Sequence, residues 1–223
     1  MTETCSAATK IWVSAVLIVI IIGSLTAFAY SSSNNALKDS VRQGMESTAA
    51  VMATQINASD LTGIKPGDET SPRYIAVVKQ LRTMRSLDDN IINAYILKVN
   101  PDQTATFLVD DLMVDDPAGS ARIGEVSTSP DKMEIFTALS VPTASKEPYT
   151  TKYGSFISAY APIDDATDDS TGNTYAVLAI DMSASDYNTA TSKGGLILVT
   201  GILSMLIALG TLFVCGMKGK VEN

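Results

Sequence analysis

The chain has 223 residues, carries 24 Asp and Glu against 16 Lys and Arg, and contains no histidine. The acidic balance argues against binding nucleic acid or an anionic lipid surface. The missing imidazole removes the commonest general base and the commonest metal ligand together. The two cysteines, Cys5 and Cys215, lie at the outer ends of two apolar runs, which leaves no structural disulfide for the residues between them.

Residues 1–10 read as a short tail ending in Lys10. Residues 11–30, "IWVSAVLIVIIIGSLTAFAY", are uncharged and as long as the roughly 20 residues that cross a hydrocarbon core. Trp12 and Tyr30 sit near its ends, where amphipathic rings favour the membrane interface. The run exceeds the apolar core of a signal peptide, although Ala27, Ala29 and Tyr30 resemble a cleavage region. Residues 194–215 form a second run of the same kind, in which Gly201, Ser204, Ala208 and Gly210 permit close helix approach. Residues 216–223 follow as a second tail bearing Lys218 and Lys220. Under the positive-inside rule both tails are cytoplasmic, with Lys193 opposing, and residues 31–193 form an extracellular or periplasmic domain at the cell membrane.

Within that domain Leu37, Val41, Met45, Thr48, Met52 and Ile56 make one stripe of a long helix. Ser33, Asn34 or Asn35 is a candidate cap, unless the helix continues directly from the span. Two uses of the stripe are open: packing on the domain's own sheet, or pairing with a second copy to make a homodimer or larger assembly. Residues 62–73 read as a loop. Residues 74–87 read as a second helix with Val77 or Val78, Leu81 and Met84 on one face.

The period then changes to two. Residues 93–99 and 104–110 read as strands joined by the turn signal "NPDQ". Met133 to Leu139 reads as a short helix. "YGSFISAYAPI" and "TYAVLAIDMS" read as two further strands, with Gly154 and Pro162 bounding the first. No internal repeat is present. The order predicts an α+β domain with an antiparallel sheet.

Three stretches carry a resemblance: "NIINAYILKVNPDQTATFLVDD", "IGEVSTSPDKMEIFTAL" and "YGSFISAYAPIDD…GNTYAVLAIDMSASDY". Across most of residues 37–187 the chain resembles the single Cache sensor domains of prokaryotic chemoreceptors and histidine kinases. The resemblance implies a PAS-like antiparallel sheet with a long N-terminal helix, flanked by two transmembrane helices. It also implies a small-molecule ligand on one face of the sheet, held by Tyr95, Phe107, Asp110, Tyr153, Ser158, Tyr160 and Asp181. Alternation puts Phe156, Ser158 and Tyr160 on one strand face. Family receptors continue past the second span into an output module, whereas this chain stops at "GMKGKVEN". The expectation is therefore a membrane-anchored sensor that signals through a separate protein. The alternative is a structural or accessory membrane subunit that uses the fold as an assembly surface.

Chemistry is sparse. Asp110 and Asp111 are adjacent in a strand and point to opposite faces, and the pairs Asp115 with Asp116, Asp164 with Asp165 and Asp168 with Asp169 read as solvated loops. The loop at 164–173 lacks the ligand order of an EF-hand, so a solvated hairpin loop is expected rather than a calcium site. No phosphate loop, Cys/His cluster or nucleophile–base pair occurs, so neither an enzyme activity nor a cofactor or metal is expected. Asn57-Ala58-Ser59 fits an N-glycosylation acceptor. Asp181 interrupts an apolar strand. A buried carboxylate there needs a partner, such as a ligand amine, unless it caps a strand end and accepts from backbone amides. Arg82 and Arg85 are alternative contacts for an acidic ligand.

Overall fold

The computed structural model describes residues 7–163, 175–192 and 195–221, with side chains described for 9–163, 175–192 and 195–214. The candidate calcium loop at 164–173, with Asp164, Asp165, Asp168 and Asp169, lies outside the described residues. So do Cys5, Lys193 and the side chains of Cys215, Lys218 and Lys220.

The chain divides into two units, residues 1–38 with 190–223 and residues 39–189. Helix α1 runs unbroken from Ala7–Ala53, so no helix begins at Ser33, Asn34 or Asn35. All three lie inside α1 because the apolar run upstream is itself helical, and the capping expectation fails on that ground.

In the first unit, the apolar stretches of α1 and of α6 (Gly195–Val221) are long enough to cross a membrane by length and composition. Neither apolar window is buried, which separates both helices from the core helix of a soluble protein. Gly201 lies so close to Thr26 that a Cβ would overlap the threonine side chain. The small residue is what lets the two backbones approach there. Gly210 meets no neighbour within 4 Å, and the same expectation does not extend to it.

The second unit is built on one antiparallel sheet. Its strands are β1 (Asn93–Val99), β2 (Ala105–Asp110), β3 (Thr143–Ala144), β4 (Tyr149–Thr151), β5 (Gly154–Pro162) and β6 (Ala176–Ser183). The order is β2-β1-β6-β5-β3, with β4 also pairing β5. The two central strands, β1 and β6, are thus the first and last of the domain. With the long N-terminal helix, this is the α+β, PAS-like architecture.

Pleating sorts the side chains onto two faces. One face presents Ala94, Ile96, Ile157, Ala159, Leu178 and Ile180 to the main core. Met45, Ala49, Met52 and Ala53 of α1 pack there, so this part of the stripe serves the domain's own sheet. Helix α3 (Pro72–Arg85) adds Tyr74, Val77, Val78 and Leu81, while Met84 is partly buried. Ser71 caps α3, accepting from the Tyr74 N–H at 3.2 Å, and Pro72 occupies the first turn where its missing N–H costs nothing. Leu81 is fully buried, so truncating it to alanine would cost about 2–5 kcal/mol.

The opposite face presents Tyr95, Leu97, Tyr160, Val177 and Ala179, covered by α4 (Lys132–Thr137) through Ile135 and Phe136. Four short elements escaped the sequence reading: α2 (Ala58–Leu61), β3, β4 and α5 (Ala184–Thr191). Each is too brief to establish a period.

Candidate functional site

The α4-side face of the sheet is not fully covered. Between β1, β2, β4, β5 and the 127–129 segment lies a cavity of about 30 Å³, room for about one ordered water. Tyr95, Phe107, Asp110, Tyr153 and Asp181 line it, together with Asn93, Tyr149 and Phe156. Ser158 and Tyr160 are fully buried and do not line it; they lie beneath, bonded to residues that do.

A β-bulge makes this grouping feasible. The β1–β2 register runs Tyr95 to Asp110, Ile96 to Val109, then Leu97 to Phe107, so Leu108 is an extra residue on β2. Strict alternation would put Phe107 and Asp110 on opposite faces, three residues apart. The extra residue resets the count, and both flank the same cavity. The edge of β2 is closed by residues 124–127: Phe107 N–H donates to the Glu125 carbonyl at 2.9 Å, and Gly124 N–H to the Phe107 carbonyl at 2.8 Å. That pairing brings Glu125 to Tyr153, whose hydroxyl donates to the Glu125 carboxylate. Lys152 pairs with the same carboxylate at 2.9 Å.

Aromatic rings form one wall. Tyr95 and Phe107 have centroids 5.3 Å apart, and Phe107 meets Tyr153 edge-on at 6.2 Å. Phe156 folds over Gly154, where φ is +140° and an added Cβ would come within 2.6 Å of the ring.

Asp181 forms the base, in the interior of β6 and only 3 % exposed. Its Oδ1 accepts from the Ser158 hydroxyl at 2.5 Å and from the Tyr95 hydroxyl at 3.1 Å. The strand-cap expectation is therefore wrong: Asp181 is mid-strand, and its side chain meets hydroxyls rather than backbone amides. Among the described residues it has no cationic partner. Burial pushes its pKa up to about 7, against the two hydroxyl bonds, which lower it.

Asp110 is held differently. It accepts from the Ala121 and Leu112 backbone N–H groups at 2.8 and 2.9 Å, and burial raises its pKa to about 6 despite them. Asp111 points the other way, into the α3 side, where Arg85 pairs with it while it is fully buried. Arg82 pairs with Asp115. The expectation that these arginines face a ligand is thereby corrected: acids of this chain occupy them, on the far side of the sheet from the cavity.

A second buried carboxylate went unnoticed in the sequence. Asp131, 7 % exposed, accepts from the Ser145 hydroxyl and, at 3.1 Å, from the Tyr160 hydroxyl. Burial raises its pKa, and the two hydroxyls lower it. Tyr149 joins the two acids: its hydroxyl lies 2.7 Å from Ser158 Oγ and 3.3 Å from the Tyr160 hydroxyl. Its only local signal was a tyrosine in a short polar stretch. Asn57 is exposed and caps α2, accepting from the Ser59 N–H at 3.0 Å. Among the described residues, no three His, Cys, Asp or Glu side chains group as a metal site.

No family model and no curated protein matches the chain. Solved structures similar to it include the sensor domain of DcuS from E. coli, at 11 % identity and a TM-score of 0.49, covering 71 % of this chain and 99 % of that one. The periplasmic domain of RsbU from Chlamydia trachomatis also has 11 % identity and a TM-score of 0.49, covering 78 % and 56 %. The sensory domain of the Campylobacter jejuni chemoreceptor Tlp3, with isoleucine bound, has 14 % identity and a TM-score of 0.37, covering 83 % and 64 %. At these identities and scores the likeness carries no function across.

Proposed function

We propose that the chain is a membrane-anchored sensor whose domain at residues 31–193 lies outside the cell membrane and binds a small molecule. The observation that carries this reading is Asp181, a carboxylate buried at the base of an aromatic-lined cavity with two hydroxyls and, among the described residues, no cation beside it. A buried acid in that setting matches a ligand that brings hydrogen-bond donors, an amine above all. Tyr95, Phe107, Asp110 and Tyr153 supply the walls, and Ser158 and Tyr160 hold the base from below. Both spans then anchor the domain with their tails in the cytoplasm, and a separate signalling protein receives the output.

The test is thermal melting of the full-length protein in mild detergent against a panel of amino acids and small amines. A stabilising shift by one of them, lost in Asp181→Ala while the unliganded melt is retained, is the expected result. A shift that survives Asp181→Ala places binding elsewhere.

A specific observation favours a second reading. The cavity is only about 30 Å³, and the Tyr149 hydroxyl already lies against Ser158 at its base. A domain filled in this way suits a structural or accessory subunit that uses its fold for assembly, as a homodimer or a larger complex. Purification in mild detergent separates the two: a kinase or receptor partner speaks for the sensor, and a large stable complex with an empty cavity for the subunit.

A further inference from the structure

The hydroxyls around the cavity obey a single proton count. Ser158 and Tyr95 give their protons to Asp181, and Tyr160 and Ser145 give theirs to Asp131. Each hydroxyl has one proton to give. With both carboxylates ionised, the 2.7 Å contact between Tyr149 and Ser158 is therefore donated by Tyr149. Tyr149 is the outermost of these donors, and its proton ends on another hydroxyl rather than on a carboxylate.

It is also the member held by the fewest strand contacts. Tyr95, Ser158 and Tyr160 sit in strands of seven or nine residues that pair on both sides, and all three are buried. Tyr149 begins a three-residue strand paired to β5 alone, and its side chain is only partly buried.

What Tyr149 does cannot be private to the cavity. Three residues, Lys146, Glu147 and Pro148, separate it from Ser145. Ser145 bonds β5 through its N–H to the Ser158 carbonyl at 2.8 Å, and its hydroxyl accepts from the Ser158 N–H at 2.9 Å. From α1, Arg42 reaches the same segment. Its Nε donates to the Ser145 carbonyl at 2.8 Å and its Nη2 to the Ala144 carbonyl at 3.4 Å.

We propose that Tyr149 is a self-occupying latch: a ligand donor taken up by Ser158 and Asp181 displaces its hydroxyl, and the 144–149 segment carries that displacement to Arg42 on α1. The device rests on the ligand-binding reading above, but its mechanical part operates with no ligand present. Removing the Tyr149 hydroxyl mimics displacement. The ring is kept, so the wall of the cavity persists.

Hydrogen exchange on the full-length protein in mild detergent tests the latch. Tyr149→Phe should speed amide exchange in residues 143–145 and in residues 39–46 of α1 by roughly two- to tenfold, the worth of one hydrogen bond. Exchange in α3 should not change. In an Arg42→Gln background the same substitution should add nothing further in residues 39–46. A response confined to residues 149–160, an equal rise in α3, or an additive effect in the double variant would each overturn the proposal. Because no ligand enters this experiment, a failed latch leaves the melting-shift result standing, and a failed melting shift leaves the latch standing.

Discussion

Ser158 and Asp181 are register partners on β5 and β6, and the serine hydroxyl lies 2.5 Å from the aspartate Oδ1. Both are buried at the centre of the sheet. The pair ties the base of the cavity to the strand that Ser145 and Tyr149 flank. Ser158→Ala leaves Asp181 with Tyr95 alone and leaves Tyr149 only its 3.3 Å contact with the Tyr160 hydroxyl. The expected cost is about 1–3 kcal/mol, read by chemical denaturation. A change within a few tenths of a kcal/mol would mean that the bond is not formed in solution.

Protonation should stabilise the domain. Burial raises the pKa of Asp181 to about 7 and of Asp110 to about 6, and it raises Asp131 as well. In the unfolded chain these groups return to about 3.9. Between those values the folded state holds more protons than the unfolded state, so stability falls as pH rises. Glu125 runs the other way: burial raises it, but Lys152, Tyr153 and the Arg122 N–H outweigh that and leave it lowered, and it is too exposed to reverse the sum. The melting temperature should be higher at about pH 5.5 than at about pH 8, and Asp181→Asn should flatten the slope. A melting temperature that climbs steadily over that range has the opposite sign and would count against a buried, cation-free cluster.

Breaking the pair of Arg85 and Asp111 should be among the costlier single changes. Asp111 is fully buried, and its carboxylate also accepts from the Ala94 N–H at 3.2 Å. Arg85→Met removes the cation paired directly with that carboxylate and leaves only the more distant charge of Arg82. The cost should be about 3 kcal/mol, at the low end for a buried pair because the Arg85 side chain is a quarter exposed. Denaturant titration of the variant against the parent measures it.

Gly154→Ala should be strained twice over. The residue sits at φ +140°, outside the ordinary L-residue regions, and the new methyl would press into the Phe156 ring. About 1–3 kcal/mol of destabilisation is expected, with Phe156 pushed toward the cavity. Thermal melting of the variant against the parent measures it.

The apolar runs, the change of period near residue 93 and the strand from Gly154 to Pro162 were all written in local sequence, and the structure places them where alternation and composition put them. Helix α1 continues directly from the apolar run, the alternative to a cap at residues 33–35, and it ends at Ala53, short of Ile56, which the stripe had included. The strands β3 and β4 were hidden because two or three residues carry no period. Alternation also identified the shared face of Phe156, Ser158 and Tyr160, as each lies in one regular strand.

Tertiary structure decided what joins them. The bulge at Leu108 that turns Phe107 and Asp110 to one side depends on the pairing of β1 with β2, which no local pattern reveals. Asp131 lies 29 positions from Tyr160, and Tyr95 lies 86 from Asp181, yet each pair shares a hydrogen bond. Arg42 meets Ser145 across 103 positions. Sequence determines which residues alternate, turn or form long apolar runs, because those depend on neighbours along the chain. Which hydroxyl serves which carboxylate depends on strand order and register, and only the folded sheet supplies those.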